Sequence, residues 1–147
     1  MMDSKFRSVA PAVGAGLLWA VVYALVWGVA WLGFMRSAWH TALAEGNREL
    51  PWTNIWSVWA ILNVPLGLAT ASYLGHRERI APSARGIVAI VLVLWVPMTV
   101  GMFGWAWYES MSLTLIALDS AVNLLGLAAA TWIARQVIRQ AWHRRAA

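Results

Sequence analysis

The sequence predicts an all-α, polytopic membrane protein, a bundle of four transmembrane helices with both termini in the cytoplasm. Of its 147 residues, 61% are hydrophobic and 12% are charged, whereas soluble domains carry roughly 25% charged residues. The charges leave four apolar stretches, and each reaches the length of about 20 residues that a helix needs to cross a hydrocarbon layer of ~30 Å. Helices are expected because lipid offers no hydrogen-bond partner to open backbone groups.

The distribution of lysine and arginine predicts the orientation. Arg36 and Arg48 fall on one side of the four predicted spans, and nine basic residues fall on the other side. These nine are Lys5, Arg7, Arg77, Arg79, Arg85, Arg135, Arg139, Arg144 and Arg145. The positive-inside rule then predicts cytoplasmic termini in a multi-pass protein of the inner (plasma) membrane. Anionic lipids at the cytoplasmic face are the expected partners of these basic residues.

The first two spans are predicted at about residues 9–35 and 52–75. The first apolar stretch is too long for the h-region of a signal peptide, so we expect an uncleaved anchor. Residues 36–53 are predicted to form the main external loop, because Gly46 and Pro51 interrupt a helix.

The third and fourth spans are predicted at about residues 86–108 and 111–134. The turn between them is very short, so the two spans are expected to form an antiparallel hairpin. Residues 135–145 are expected to continue the last helix as an amphipathic basic end near the lipid surface. The length of 147 residues predicts a single membrane domain over residues 1–147. The first two spans do not resemble the last two, which disfavours a duplicated transporter fold.

Small residues recur every three or four positions along three of the predicted spans, which places them on one stripe of each helix. Such stripes let the backbone of another helix approach closely. We expect inner seams of the bundle here, although the same geometry also suits a dimerisation face. The predicted packing residues are Gly16, Ala20, Ala24, Gly28, Gly67, Ala71, Gly75, Gly126 and Ala130.

An aromatic row, Trp19, Tyr23, Trp27 and Trp31, runs beside the small residues of the first span. Large aromatic side chains fill space and anchor helices at membrane interfaces. We favour that interpretation over a bound quinone or pigment.

Asp119 is the one charged residue of the predicted fourth span. A carboxylate in hydrocarbon is costly, so it is expected to face the interior and to have partners. Asn123 lies one helical turn further on, where the two side chains can hydrogen-bond. Residues at similar predicted depths complete one buried polar cluster, namely Asp119, Asn123, Asn63, Thr99 and Tyr23. The cluster is either a proton- or substrate-binding site or a hydrogen-bonded knot that fixes helix register, and we favour the knot.

The other chemistry-bearing residues form no recognisable catalytic or metal-binding set. The three histidines, His40, His76 and His143, are predicted to flank the membrane, which disfavours a haem within the bundle. Zinc at His76, His143 and Glu78 is a loose alternative, and we predict no metal and no cofactor. The sequence has no cysteine and no phosphate-binding loop, Ser-His-Asp set or H-E-x-x-H motif. The net charge of +5 does not indicate nucleic-acid binding, because the basic residues lie at predicted helix ends.

The stretch from Trp105 to Trp132, WAWYESMSLTLIALDSAVNLLGLAAATW, resembles the C-terminal part of the DUF1761 family of small four-helix bacterial membrane proteins. In that family a short loop precedes an aliphatic stretch, an Asp or Asn, and a run of small residues that ends near a Trp. The run WLGFMRSAW, from Trp31 to Trp39, is similar to the aromatic and glycine end of the family's first helix. The resemblance implies a fold and a membrane location. It implies no function, because the family has no established activity.

We therefore expect a non-enzymatic protein that acts through packing of its transmembrane helices. It would be an accessory or scaffold subunit of a larger membrane assembly, or a homo-oligomer. The first alternative is a small-solute or proton-coupled transporter that uses Asp119. The second alternative is a lipid- or quinone-modifying membrane enzyme, which would depend on Glu45, Glu49 or Glu109.

Overall fold

The computed structural model describes residues 4–45, 55–80, 84–108 and 112–146, and all of them except Ala84 and Ser112 are helical. The elements are α1 (Ser4–Ala30), a π-helical turn (Trp31–Met35), α2 (Arg36–Glu45), α3 (Ile55–Ile80), α4 (Arg85–Tyr108) and α5 (Leu113–Ala146). The prediction of an all-α protein is confirmed.

Among the described residues, three helical segments are long and apolar enough to cross a membrane. They are Ala10–Ala42, Arg85–Trp107 and Leu113–Arg144. Three such segments agree with the predicted membrane class. The α3 helix is not one of them, and residues 52–54, with which the predicted second span begins, lie outside the described residues.

The helical structure of the first span continues beyond its predicted end at residue 35. Residues 36–45, where the external loop was expected to begin, form α2 instead, because no glycine or proline interrupts the chain before Gly46. The π-helical turn joins α1 to α2, and the Arg36 N–H donates a hydrogen bond to the Trp31 carbonyl. Residues 46–54 lie outside the described residues, as does the predicted turn between the third and fourth spans.

The α5 helix is central to the packing, since it contacts α1, α3 and α4, while α1 also packs against α3. One buried cluster includes Trp19 of α1, Leu74 of α3 and Leu127 of α5. A second buried cluster includes Met35 of the π-helical turn and Ile116 of α5. Both clusters therefore lie against α5, which holds the aspartate.

The outward faces of α1 and α4 are apolar. Their exposed large side chains include Val13, Leu17, Val21, Leu25 and Val29 of α1 and Val88, Leu92, Val93, Val96 and Val100 of α4. Contiguous apolar surface of this kind is rare on soluble monomers and suits contact with lipid or another membrane helix.

The α1 and α3 backbones approach most closely at two of the predicted packing glycines. A Cβ atom at Gly67 would lie 2.3 Å from the Gly16 carbonyl oxygen, and one at Gly16 would lie 2.8 Å from the Leu68 Cα. At Gly126 of α5, an added Cβ would lie 2.8 Å from Cδ2 of Tyr23. Only glycine fits these positions without a shift of the neighbouring helix or ring.

The other predicted packing positions divide into two groups. Ala20, Ala71 and Ala130 are buried in the cluster around Trp19, and Ala24 is partly buried. A Cβ at Gly28 or Gly75 would meet nothing within 4 Å in the described structure. Among the described residues, the small-residue stripes are therefore in close contact over only part of their length.

Candidate functional site

The aromatic row of α1 faces α5 and donates hydrogen bonds to it. The Trp19 indole Nε1 donates to Thr131 Oγ1 at 3.0 Å, and the Tyr23 hydroxyl donates to Asn123 Oδ1 at 2.5 Å. The rings of Trp19 and Tyr23 also stack, with centroids 5.3 Å apart. These aromatic side chains therefore fill the space between two antiparallel helices and also satisfy buried polar groups of α5.

Asp119 lies one turn before Asn123 on α5 and is 4% exposed. The Asn123 amide donates to Asp119 Oδ2 at 3.2 Å and to the Asp119 backbone carbonyl at 2.9 Å. The Trp27 side chain makes a further hydrogen bond to the aspartate side chain. Asn123 thus accepts from α1 through its oxygen and donates to Asp119 through its nitrogen, so one chain of hydrogen bonds links Tyr23, Asn123 and Asp119.

The residue after Asp119 faces a different helix. Ser120 Oγ and Thr99 Oγ1 of α4 are hydrogen-bonded at 2.6 Å, and the Trp95 indole donates to the Ser120 carbonyl at 2.8 Å. Thr99, predicted to belong to the cluster of Asp119, thus contacts the neighbouring serine. Successive positions on a helix differ by about 100° in direction, so similar depth in the membrane does not bring two side chains together.

Asn63 also lacks a hydrogen bond to the aspartate in the described structure. It is 8% exposed on α3, but within the described part of the chain it makes no hydrogen bond to Asp119 or Asn123. Of the five residues predicted to form the polar cluster, the structure brings together Tyr23, Asn123 and Asp119.

Two contacts were not predicted from the sequence, that of Trp27 with Asp119 and that of Ser120 with Thr99. The spacing contained a signal for the first of these. Trp27 and Tyr23 are four residues apart on α1, and Asp119 and Asn123 are four residues apart on α5. Two antiparallel helices in contact bring such pairs opposite each other in reverse order.

An ion pair joins α3 to α5 away from this cluster. The Arg135 guanidinium donates from Nε to Glu78 Oε1, and both side chains are 7% exposed. Arg139 Nε lies 4.0 Å from the other Glu78 oxygen, and its side chain is 44% exposed. Arg135, predicted to begin an amphipathic basic end near the lipid surface, is instead buried and paired with α3.

Glu78 was also one of the three residues of the alternative zinc site. In the structure its carboxylate forms an ion pair with Arg135. Among the described residues, no three His, Cys, Asp or Glu side chains lie close enough to hold a metal ion. The described polar groups therefore offer hydrogen bonds and a buried ion pair between helices, together with the Asp119 carboxyl group.

Comparisons of the chain with protein-family models, with curated proteins and with solved structures found no match. The resemblance of residues 105–132 to the DUF1761 family stays a prediction.

The Tyr23 hydroxyl gives a direct test of the α1–α5 hydrogen bonds. We expect Tyr23→Phe to lower the free energy of unfolding by about 1 kcal/mol, because the buried Asn123 oxygen loses its donor. Denaturant titration of the protein in lipid nanodiscs measures this loss. Tyr73→Phe is the matched control, because Tyr73 is 45% exposed and should leave stability unchanged. Equal values for the two variants would contradict the hydrogen-bonding role.

Proposed function

We propose that this chain is a four-span protein of the inner membrane with cytoplasmic termini, and that it acts through helix packing. It serves as a non-enzymatic accessory or scaffold subunit of a membrane assembly, or as a homo-oligomer. In this proposal α3 also crosses the membrane, as the predicted second span, in addition to the three long apolar segments. Its contacts with α1 and α5 support the same membrane depth, and the nine-to-two distribution of basic residues supports the orientation.

The observation that carries the proposal is the set of hydrogen bonds that Asp119 makes between α1 and α5. Its hydrogen-bonding groups are engaged by Trp27 and Asn123 inside the α1–α5 contact, and Asn123 is engaged in turn by Tyr23. A carboxyl group enclosed in this way by large aromatic side chains links two helices and fixes their register. These groups therefore serve packing, which is the property that a scaffold or subunit needs.

The outward apolar faces supply the surface for this role. The exposed side chains of α1 and α4 are uncharged over most of their length, so lipid or a helix of another subunit can cover them. Native mass spectrometry of the protein, extracted gently from its own membrane, tests the proposal. A stoichiometric complex with another polypeptide, or a homo-oligomer, is the expected result, and a lone monomer would contradict it.

A proton-coupled carrier is the second candidate, and one observation favours it. Asp119 is a buried carboxyl group whose described hydrogen-bond partners, Trp27 and Asn123, are both neutral. An intramembrane acid of this kind can carry a proton. The two candidates differ in what they require of the aspartate, because packing needs its hydrogen-bonding shape whereas a carrier needs its ionisation.

Asp119→Asn separates these two functions. The amide keeps the shape of the aspartate and one acceptor oxygen, so we expect unfolding free energy to change by no more than about 1 kcal/mol and the native complex to persist. Asp119→Leu is the control that removes every acceptor, and it should destabilise the protein measurably. Proton flux into liposomes measured for wild type but abolished in a folded Asp119→Asn variant would instead support the carrier.

A further inference from the structure

An open groove of about 440 Å³ lies along the π-helical turn and the start of α2. Volumes of this size are typical of small-molecule sites. The groove is lined by Leu32, Gly33, Phe34, Arg36, Ser37 and His40. All six are exposed, and none of them takes part in the Asp119 cluster.

The groove changes from apolar to polar along the helix. At one end Leu32 and Phe34 expose 75% and 50% of their surface. At the other end stand Arg36, Ser37 and His40, which supply a guanidinium, a hydroxyl and an imidazole. Arginine is the side chain best suited to a phosphate, because its planar donors match two phosphate oxygens.

Gly33 and the π-helical turn give this surface its shape. A π-helical turn holds an extra residue, and such turns occur frequently at functional sites. Gly33 has no side chain between the apolar and the polar ends, so the floor of the groove stays open there.

The position of the groove relative to the membrane follows from charge. Arg36 is the first charged residue after the apolar stretch that follows Arg7, and the apolar segment Ala10–Ala42 is long enough to cross the bilayer. Arg36 therefore lies near the level of the lipid headgroups. Leu32 and Phe34 precede Arg36 by four and two residues, so they lie closer to the hydrocarbon.

We propose that this groove binds the phosphate headgroup of an anionic phospholipid. Arg36 pairs with the phosphate, Ser37 and His40 offer further hydrogen bonds, and the acyl chain lies along Leu32 and Phe34. The proposal rests on the crossing of the membrane by the first helix and not on the role of Asp119 or the number of spans.

Crosslinking of a photoactivatable phosphatidylglycerol tests the site on the full-length protein in nanodiscs. The lipid carries a diazirine in its acyl chain, and peptide mapping locates the crosslink. We expect labelling within residues 32–40 that falls about tenfold in Arg36→Gln, since a hydrogen bond to a charged group is lost. Arg144→Gln is the control, because it removes the same charge from an exposed position near the C-terminal end of α5, away from the groove.

A second crosslinking lipid and a soluble competitor define the headgroup chemistry. A phosphatidylcholine with the same diazirine should label residues 32–40 more weakly, because its headgroup is neutral overall. Inorganic phosphate should not reduce labelling by phosphatidylglycerol, because the acyl chain contributes to binding. Equal labelling of wild type and Arg36→Gln would overturn the site, and displacement by inorganic phosphate would overturn its assignment to a lipid.

Discussion

Arg135→Gln is expected to lower the free energy of unfolding by about 3 kcal/mol, because removal of one partner leaves a buried charge without its ion pair. Glu78 and Arg135 each expose only 7% of their side chain, so water compensates little for the loss. The pair joins α3 to α5, and we expect the variant to loosen that contact first. Denaturant titration in nanodiscs measures the stability, and hydrogen exchange of α3 locates the change.

Arg139→Gln is the matched control for this prediction. Arg139 lies 4.0 Å from the same glutamate, but its side chain is 44% exposed. Exposed ion pairs contribute about 0–1 kcal/mol, so this variant should remain close to wild type. Similar losses in the two arginine variants would show that total charge, and not the buried pair, stabilises this end of the protein.

A double variant distinguishes the pair from the separate side chains. In Glu78→Gln/Arg135→Gln both positions are neutral and can still hydrogen-bond, so the double variant should recover most of the stability that Arg135→Gln loses. A double variant as unstable as the single one would argue that Arg135 acts through its packing alone.

The helical class could be predicted from the sequence because it depends on local composition. Long apolar stretches with few charges require helices in lipid, and α4 and α5 begin within two residues of their predicted spans. The α2 helix was not predicted, because Gly46 and Pro51 led to the assignment of all of residues 36–53 to a loop. Nothing in the residues from Arg36 to Glu45 opposes a helix that continues into a more polar environment.

The polar contacts were harder to predict, because they depend on the rotation of each helix about its axis. Depth along the chain placed Thr99 and Asn63 at the level of Asp119. The structure turns Thr99 toward Ser120 and leaves Asn63 without a bond to the aspartate. Tyr23 was placed with Asn123 on depth alone, and the two are hydrogen-bonded.

The second large effect on stability is expected where α1 and α3 pack together, and Gly67→Ala tests it. The added Cβ would lie 2.3 Å from the Gly16 carbonyl oxygen and 3.1 Å from the Trp19 ring. A backbone oxygen cannot rotate away as a flexible side chain can, so the helices must separate. We expect a loss of about 2–3 kcal/mol in unfolding free energy, in the range of overpacked cores.

Gly75→Ala on the same helix is the matched control, because no described atom lies within 4 Å of a Cβ added there. Alanine has the higher helix propensity, so this control should stabilise the protein by about 0.5 kcal/mol. The two alanines are therefore expected to act in opposite directions. Because the Trp19 ring beside Gly67 donates to Thr131, separation of α1 from α3 should also weaken a hydrogen bond to α5. A Gly67→Ala variant that gained stability as Gly75→Ala does would show that α1 and α3 do not pack through these glycines.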